Sequence, residues 1–305
     1  MRIVTLLPSA TEIVCALGLD PVGVSHECSY PPRAAEKPSV NRCLVDAEAS
    51  CGDVDERVRA AAEEHGSVYE IDGETLLEAD PDLIVTQGVC DVCAVDRVLV
   101  EEAVADLGLD AEILTTDVHG LEDLLADVRR IGAAAGAEAR ADDLVARLRG
   151  RIERVERTAA DAGRTPRVTV LDWLEPAMVA GHWIPEMVDL VGGEYGIAEP
   201  GGYSEPTEWQ TVREFDPEVL IAAPCGFPLH QTLEHVDELT DRDGWDALSA
   251  VRNGRAYAME GDAYVNCPGP RLVDTLEHLA GLVHPDSFDR PPADVSRPIA
   301  ARRSA

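Results

Sequence analysis

The sequence predicts an α/β protein of two lobes, each built on a mainly parallel sheet, joined by a long rigid helix. One observation is a repeated phrase, Glu78-Ala79-Asp80-Pro81-Asp82-Leu83-Ile84-Val85 and Glu214-Phe215-Asp216-Pro217-Glu218-Val219-Leu220-Ile221. In each copy Asp-Pro stops a helix, because proline cannot continue one and biases its predecessor toward extended geometry. A continuous apolar run follows, the mark of a strand buried on both faces. Each strand leads to a loop carrying cysteine, Cys90 or Cys225. The other observation is residues 121–162, which read as helix alone. The piece from Ala137 to about Ala160 would span on the order of 35 Å at about 1.5 Å per residue.

The remaining elements alternate as a parallel sheet requires. Met1–Pro8 reads as a first strand, and Ser9-Ala10-Thr11-Glu12 after it reads as a capping box opening a helix that ends at Gly18. Val22–Val24, Val68–Ile71, Leu83–Thr86 and Ala111–Thr115 read as strands, with helices over Val54–His65 and Ala94–Leu107. The second lobe opens with the strand Arg167–Asp172, continues through Ala177–Ala180, Val219–Ala222 and Ala256–Met259, and closes with the helix Arg271–Val283. A long acidic helical region is expected after Phe227, and a loose tail after Pro285. The expected organisation is a lobe at 1–118, a connecting segment at 119–164, a lobe at 165–284 and a flexible tail at 285–305.

Asp and Glu number 58 against 26 Lys and Arg, a net charge of −32, and Lys37 is the sole lysine. Acidity spread along the whole chain indicates a surface solvated for high salt, as in a halophilic archaeon. It excludes general binding to nucleic acid or to an anionic membrane surface, both of which need a basic footprint. The first strand begins at once and no apolar run reaches the roughly 18 residues of a span. The chain therefore reads as cytoplasmic as written, or extracytoplasmic if the true start lies upstream.

Cys90-Asp91-Val92-Cys93 has the spacing of half a zinc site or of a redox pair. His26 and Cys28, on a neighbouring strand-end loop, and Cys225 from the other lobe are further candidate ligands. Thiolate with imidazole suits zinc, iron or a corrinoid cobalt. Buried packing is the competing explanation for these cysteines. No Walker loop, nucleophile elbow or zinc-protease helix occurs, so no catalytic residue is assigned.

The opening Leu7-Pro8-Ser9-Ala10-Thr11-Glu12, the first Asp-Pro-Asp-Leu-Ile and the connecting helix resemble class III substrate-binding proteins of ABC importers. So do Trp183, Glu186-Met187, Gly192-Gly193, Ser204, Glu208-Trp209 and the second Asp-Pro phrase. The likeness runs from residue 1 to about 284 and is nearest to the cobalamin (vitamin B12) branch. It implies non-catalytic binding of a corrinoid between the lobes and, as partner, an importer permease. It places Pro8, Ser9, Ala10, Thr11, Tyr30, Gln87, Trp173, Trp183, Phe227 and Tyr264 at the ligand, with Cys225 beside them. A corrin is a broad plate with apolar faces and amide edges, which tryptophan and tyrosine suit. Core or rim packing would equally account for Trp173 and Trp183. The rival expectation is a thiolate metal protein or enzyme holding zinc or iron through His26, Cys28, Cys90, Cys93 and Cys225. A ferric siderophore fits less well, since Arg33, Arg42 and Arg271 are not grouped in the sequence.

Overall fold

The computed structural model describes residues 1–65, 67–88, 95 and 97–300. Two compact units divide the chain: Met1–Asp46, Glu56–Val118 and Glu122–Leu148 in the first, and Ala47–Asp55, His119–Leu121 and Arg149–Ala305 in the second. The division falls inside the long helix Glu138–Ala160, after Leu148.

In the first unit, β1 (Ile3–Thr5), β2 (Gly23–Val24), β5 (Leu83–Gln87) and β6 (Glu112–Thr116) form a parallel sheet in the order β2-β1-β5-β6. Every residue of β1 and β5 is buried, the polar Thr5, Thr86 and Gln87 at their carboxyl ends included, as in strands covered on both faces. Leu6, Ile84, Leu76 and Val100 pack one face of the sheet into a core. At Gly23 a side-chain carbon would lie 2.8 Å from Val40 Cγ1, so only glycine lets β2 approach that neighbour. The strand expected at Val68–Ile71 stands apart from this sheet: β3 (Asn41–Cys43) and β4 (Tyr69–Ile71) form a separate antiparallel pair.

The second unit has six strands: β7 (Val168–Trp173), β8 (Met178–Val179), β9 (Glu205–Pro206), β10 (Val219–Ala222), β11 (Ala256–Met259) and β12 (Ser296–Pro298), ordered β12-β11-β10-β7-β8-β9. The central β7, β10 and β11 are parallel, whereas β8, β9 and β12 are antiparallel additions.

The repeated phrase is a repeated physical device. The helices Gly73–Ala79 and Trp209–Phe215 both end on an aspartate in left-handed geometry, Asp80 at φ 40° and Asp216 at φ 48°. An arginine at the foot of each unit's first strand then caps the helix end. Arg2 Nε donates to Ala79 O (2.6 Å) and Asp80 O (3.0 Å). Arg167 Nε donates to Phe215 O (2.9 Å) and Asp216 O (3.0 Å). The carboxylate after each proline accepts from the same arginine's backbone N–H, Asp82 at 2.6 Å and Glu218 at 3.2 Å. Cations at a helix C-terminus satisfy orphan carbonyls and oppose the dipole, so each strand is registered by the helix before it.

Three expectations need correction. The first helix, Pro8–Ala16, starts one residue before the proposed capping box, and its N-cap Leu7 makes no side-chain bond. Proline at the first helical position supplies a fixed φ and lacks an N–H that would need capping, so Ser9–Glu12 lie inside the helix. The region after Phe227 is a series of short helices, Leu229–Glu234, Asp237–Thr240 and Ser249–Arg252, broken where Gly244 turns at φ 81°. The chain end is not loose up to residue 300. β12 closes an edge of the second sheet, and Ser296 Oγ donates to Ala258 O at 3.0 Å.

Candidate functional site

Ligands of open α/β sheets sit beyond the carboxyl ends of parallel strands, so the loops there are the places to examine in each unit. In the first unit, β1 leads into Pro8, Ser9, Ala10 and Thr11. Pro8 is half-buried and the other three are buried. Thr11 Oγ1 lies 2.6 Å from Thr5 Oγ1 and 3.0 Å from Cys28 Sγ, a chain that ties the helix start to the loop after β2. Burial pushes the Cys28 thiol up to about 12, partly offset by the Thr11 bond, so it keeps its proton at neutral pH. His26 is fixed by Asn41, whose Oδ1 accepts from the His26 backbone N–H at 3.0 Å, and its ring lies 5.9 Å from Tyr69. Burial lowers its pKa, leaving a neutral imidazole. Tyr30 is 47% exposed, an open aromatic surface at the end of this loop. Gln87 closes β5 as a buried residue.

Cys90 and Cys93 lie outside the described residues. Among the described residues, no three His, Cys, Asp or Glu side chains are grouped to hold a metal.

In the second unit, β7 delivers Asp172 and Trp173, β10 delivers Cys225 and Phe227, and the turn Gly261–Val265 after β11 delivers Tyr264. Trp173 meets buried Phe227 edge-on at 5.4 Å, and Cys225 N donates to Asp172 O at 2.9 Å. The Trp173 indole N–H is buried without an acceptor. Tyr264 packs against His278 at 5.2 Å, with the Arg271 guanidinium 5.3 Å over its ring. Trp183 has a different station from Trp173. It is only 7% exposed, and its indole N–H donates to Val265 O at 2.9 Å, so it braces the loop that carries Tyr264.

A polar lock that sequence reasoning did not single out surrounds Asp172. Its Oδ2 accepts from Ser204 Oγ, and Ser204 Oγ in turn accepts from Gly181 N at 2.9 Å. Its Oδ1 is sealed from solvent without a partner. Burial is the chief cause raising this carboxyl to about 6. The lock pins residues 201–204 against Gly181, where a side-chain carbon would lie 2.6 Å from the Tyr203 carbonyl carbon. The available signal was a charged residue inside the buried strand β7, after Val170-Leu171 and before Trp173.

Two units with parallel sheets, sharing one long helix and showing aromatic strand-end loops, define a ligand-binding class rather than a set of catalytic groups. The chain matches the periplasmic binding protein family over residues 3–263 and belongs to it. It is thus a non-catalytic substrate-binding protein of the kind that serves ABC importers. It is 24% identical over 294 residues to an uncharacterized ABC transporter substrate-binding lipoprotein of Bacillus subtilis, covering 94% of this chain and 81% of that protein. Its fold is similar to a periplasmic heme-binding protein from Pseudomonas aeruginosa (TM-score 0.74, 18% identity, 99% of each chain). It is also similar to the periplasmic vitamin B12-binding protein of Vibrio cholerae (TM-score 0.66, 22% identity, 92% of this chain and 96% of that one).

These findings overturn the cytoplasmic placement read from the sequence. The family is extracytoplasmic and the Bacillus relative is a lipoprotein, so an early first strand is no guide to compartment. No helix among the described residues is long and apolar enough to cross a membrane.

Proposed function

We propose that the protein captures a corrinoid of the cobalamin type on its strand-end loops and presents it to an importer permease. The observation that carries this reading is Trp173, a flat aromatic at the end of β7 whose buried indole N–H has no acceptor. An amide-rimmed macrocycle offers both a face for the ring and a carbonyl for the donor. Charge favours a neutral, amide-edged plate over heme with its carboxylates or over an anionic ferric chelate. The chain carries a net charge of −32, and Arg33 and Arg42 already face Asp20 (3.8 Å) and Glu70 (2.5 Å). The vitamin B12-binding relative supports the reading, whereas the heme-binding relative keeps heme as the alternative.

Absorbance titrations with hydroxocobalamin and with hemin in molar salt test it. Saturable cobalamin binding, weakened about 5- to 150-fold in Trp173→Ala, is the expected result, since ring stacking and a buried donor together contribute about 1–3 kcal/mol. Saturable hemin binding with no response to cobalamin would replace the corrinoid by heme.

A further inference from the structure

One side chain outside the proposed corrinoid contacts ties together the loops beyond β10 and β11. Asn266 follows the turn Gly261–Val265, and its amide nitrogen donates to Ala223 O at 2.9 Å and to Gly261 O at 3.2 Å. Ala223 is the residue after β10, and Gly261 opens the turn after β11. Asn266 thus stands at the carboxyl edge of two adjacent parallel strands, where open α/β sheets bind ligands. Building on the corrinoid reading, we infer that Asn266 is a specificity-determining residue of that site. Its Oδ1 accepts a hydrogen bond from a primary amide on the ligand rim and turns away a carboxylate at the same place.

Three features of Asn266 fit this role. The first is the orientation of its amide. Both neighbours of the nitrogen are carbonyl oxygens, which only N–H groups can satisfy, so a reversed amide would set three acceptors against one another. The nitrogen has two hydrogens and both are engaged. The second is the state of Oδ1, which has no hydrogen-bond partner among the described residues. Asn266 is half-buried and, unlike Trp173 Nε1, its oxygen is not sealed from solvent. What the side chain presents outward is therefore an acceptor and nothing else.

The third feature is rigidity. Asn266 N also donates to Gly261 O, at 2.9 Å, so backbone and side chain hold the same carbonyl. The flanking Val265 and Cys267 are buried, and Val265 O receives the Trp183 indole N–H. Gly261 N donates to Phe227 O at 3.1 Å. A side-chain carbon at Gly261 would lie 2.1 Å from Pro224 O, so the two loops meet backbone to backbone. The same loops carry Cys225, Phe227 and Tyr264, which sets a fixed acceptor among the proposed contacts. An acceptor held in advance spares the complex the cost of ordering it. A carboxylate brought to that oxygen offers no proton, and both groups lose water without a bond in return. One atom thereby separates an amide-rimmed corrinoid from a plate edged with carboxylates.

The test titrates the full chain in molar salt with dicyanocobinamide and with dicyanocobyrinic acid, which carry amides and carboxylates respectively on the rim of one ring system. Wild-type protein should prefer the amide form by about tenfold or more. In Asn266→Ala that preference should shrink by about fivefold or more, chiefly through weaker binding of the amide form. General repulsion of the acid by this anionic chain is common to both proteins and cancels in the comparison. A variant that keeps the wild-type preference, or wild-type protein that binds both forms equally, would overturn the assignment of Asn266. Should Asn266→Ala fail to fold, Asn266→Ser, which retains a donor for the carbonyls, reads the same ratio. Protein that binds no corrinoid refutes the corrinoid reading and this role with it, whereas corrinoid binding without Asn266-dependent preference refutes the role alone.

Discussion

Replacing Asp172 by asparagine should stabilise the protein at neutral pH and have little effect in acid. Asp172 is an acid whose pKa rises on folding, from an ordinary 3.8 to about 6, chiefly through burial. Below about pH 3.8 both the folded and the unfolded chain hold the proton and ionisation costs nothing. As pH rises toward 6, the unfolded chain ionises first, and the folded state loses relative stability until Asp172 too is ionised. A rise of that size corresponds to about 3 kcal/mol at about 1.36 kcal/mol per unit, an upper bound for the penalty above pH 6. Asparagine keeps the acceptor for Ser204 Oγ without the charge. The difference in unfolding free energy between variant and wild type should therefore grow by roughly 2–3 kcal/mol between pH 4 and pH 7. Urea unfolding followed by tryptophan fluorescence in molar salt measures it, and the comparison cancels the titration of the many surface carboxylates. A pH-independent difference, or destabilisation at pH 7, would refute a buried charge as the penalty. Ser204→Ala should behave oppositely, raising the pKa of Asp172 further, because the bond from Ser204 lowers it.

The two arginine caps are equivalent in kind, so Arg2→Ala and Arg167→Ala should each cost about 1–2 kcal/mol in denaturant midpoint analysis, by freeing helix-end carbonyls. Trp183→Phe keeps an aromatic ring, smaller than indole, but leaves Val265 O without its 2.9 Å donor, and should cost about 1–3 kcal/mol in the same assay. A net charge of −32 repels itself less as the screening length shrinks from about 10 Å at 0.1 M to about 3 Å at 1 M salt. The melting temperature should accordingly climb by several degrees over that range in calorimetry, and a flat response would remove the argument for a high-salt surface.

Local chemistry explains what was legible in the chain. Asp-Pro followed by an apolar β-branched run dictates a helix end and a buried strand whatever surrounds it. β5 and β10 accordingly begin at the expected Leu83 and Val219. The helix break near Gly136 was readable because glycine takes φ 64° there at no steric cost. Sequence spacing could not say that Pro8 would start its helix early, nor that Ser296–Pro298 would find the edge of β11, since strand pairing over long separations leaves no local trace. It named the aromatic residues of the strand ends but not their roles. Trp173 and Trp183 look alike in the chain, and only packing gives one an orphan donor and the other a carbonyl partner. The lock at Asp172 depends on residues about 30 positions apart being brought to one place. Composition and local propensity thus determined the class of fold, while burial and long-range contact, which exist only once the chain has closed, decided which side chains can do chemistry.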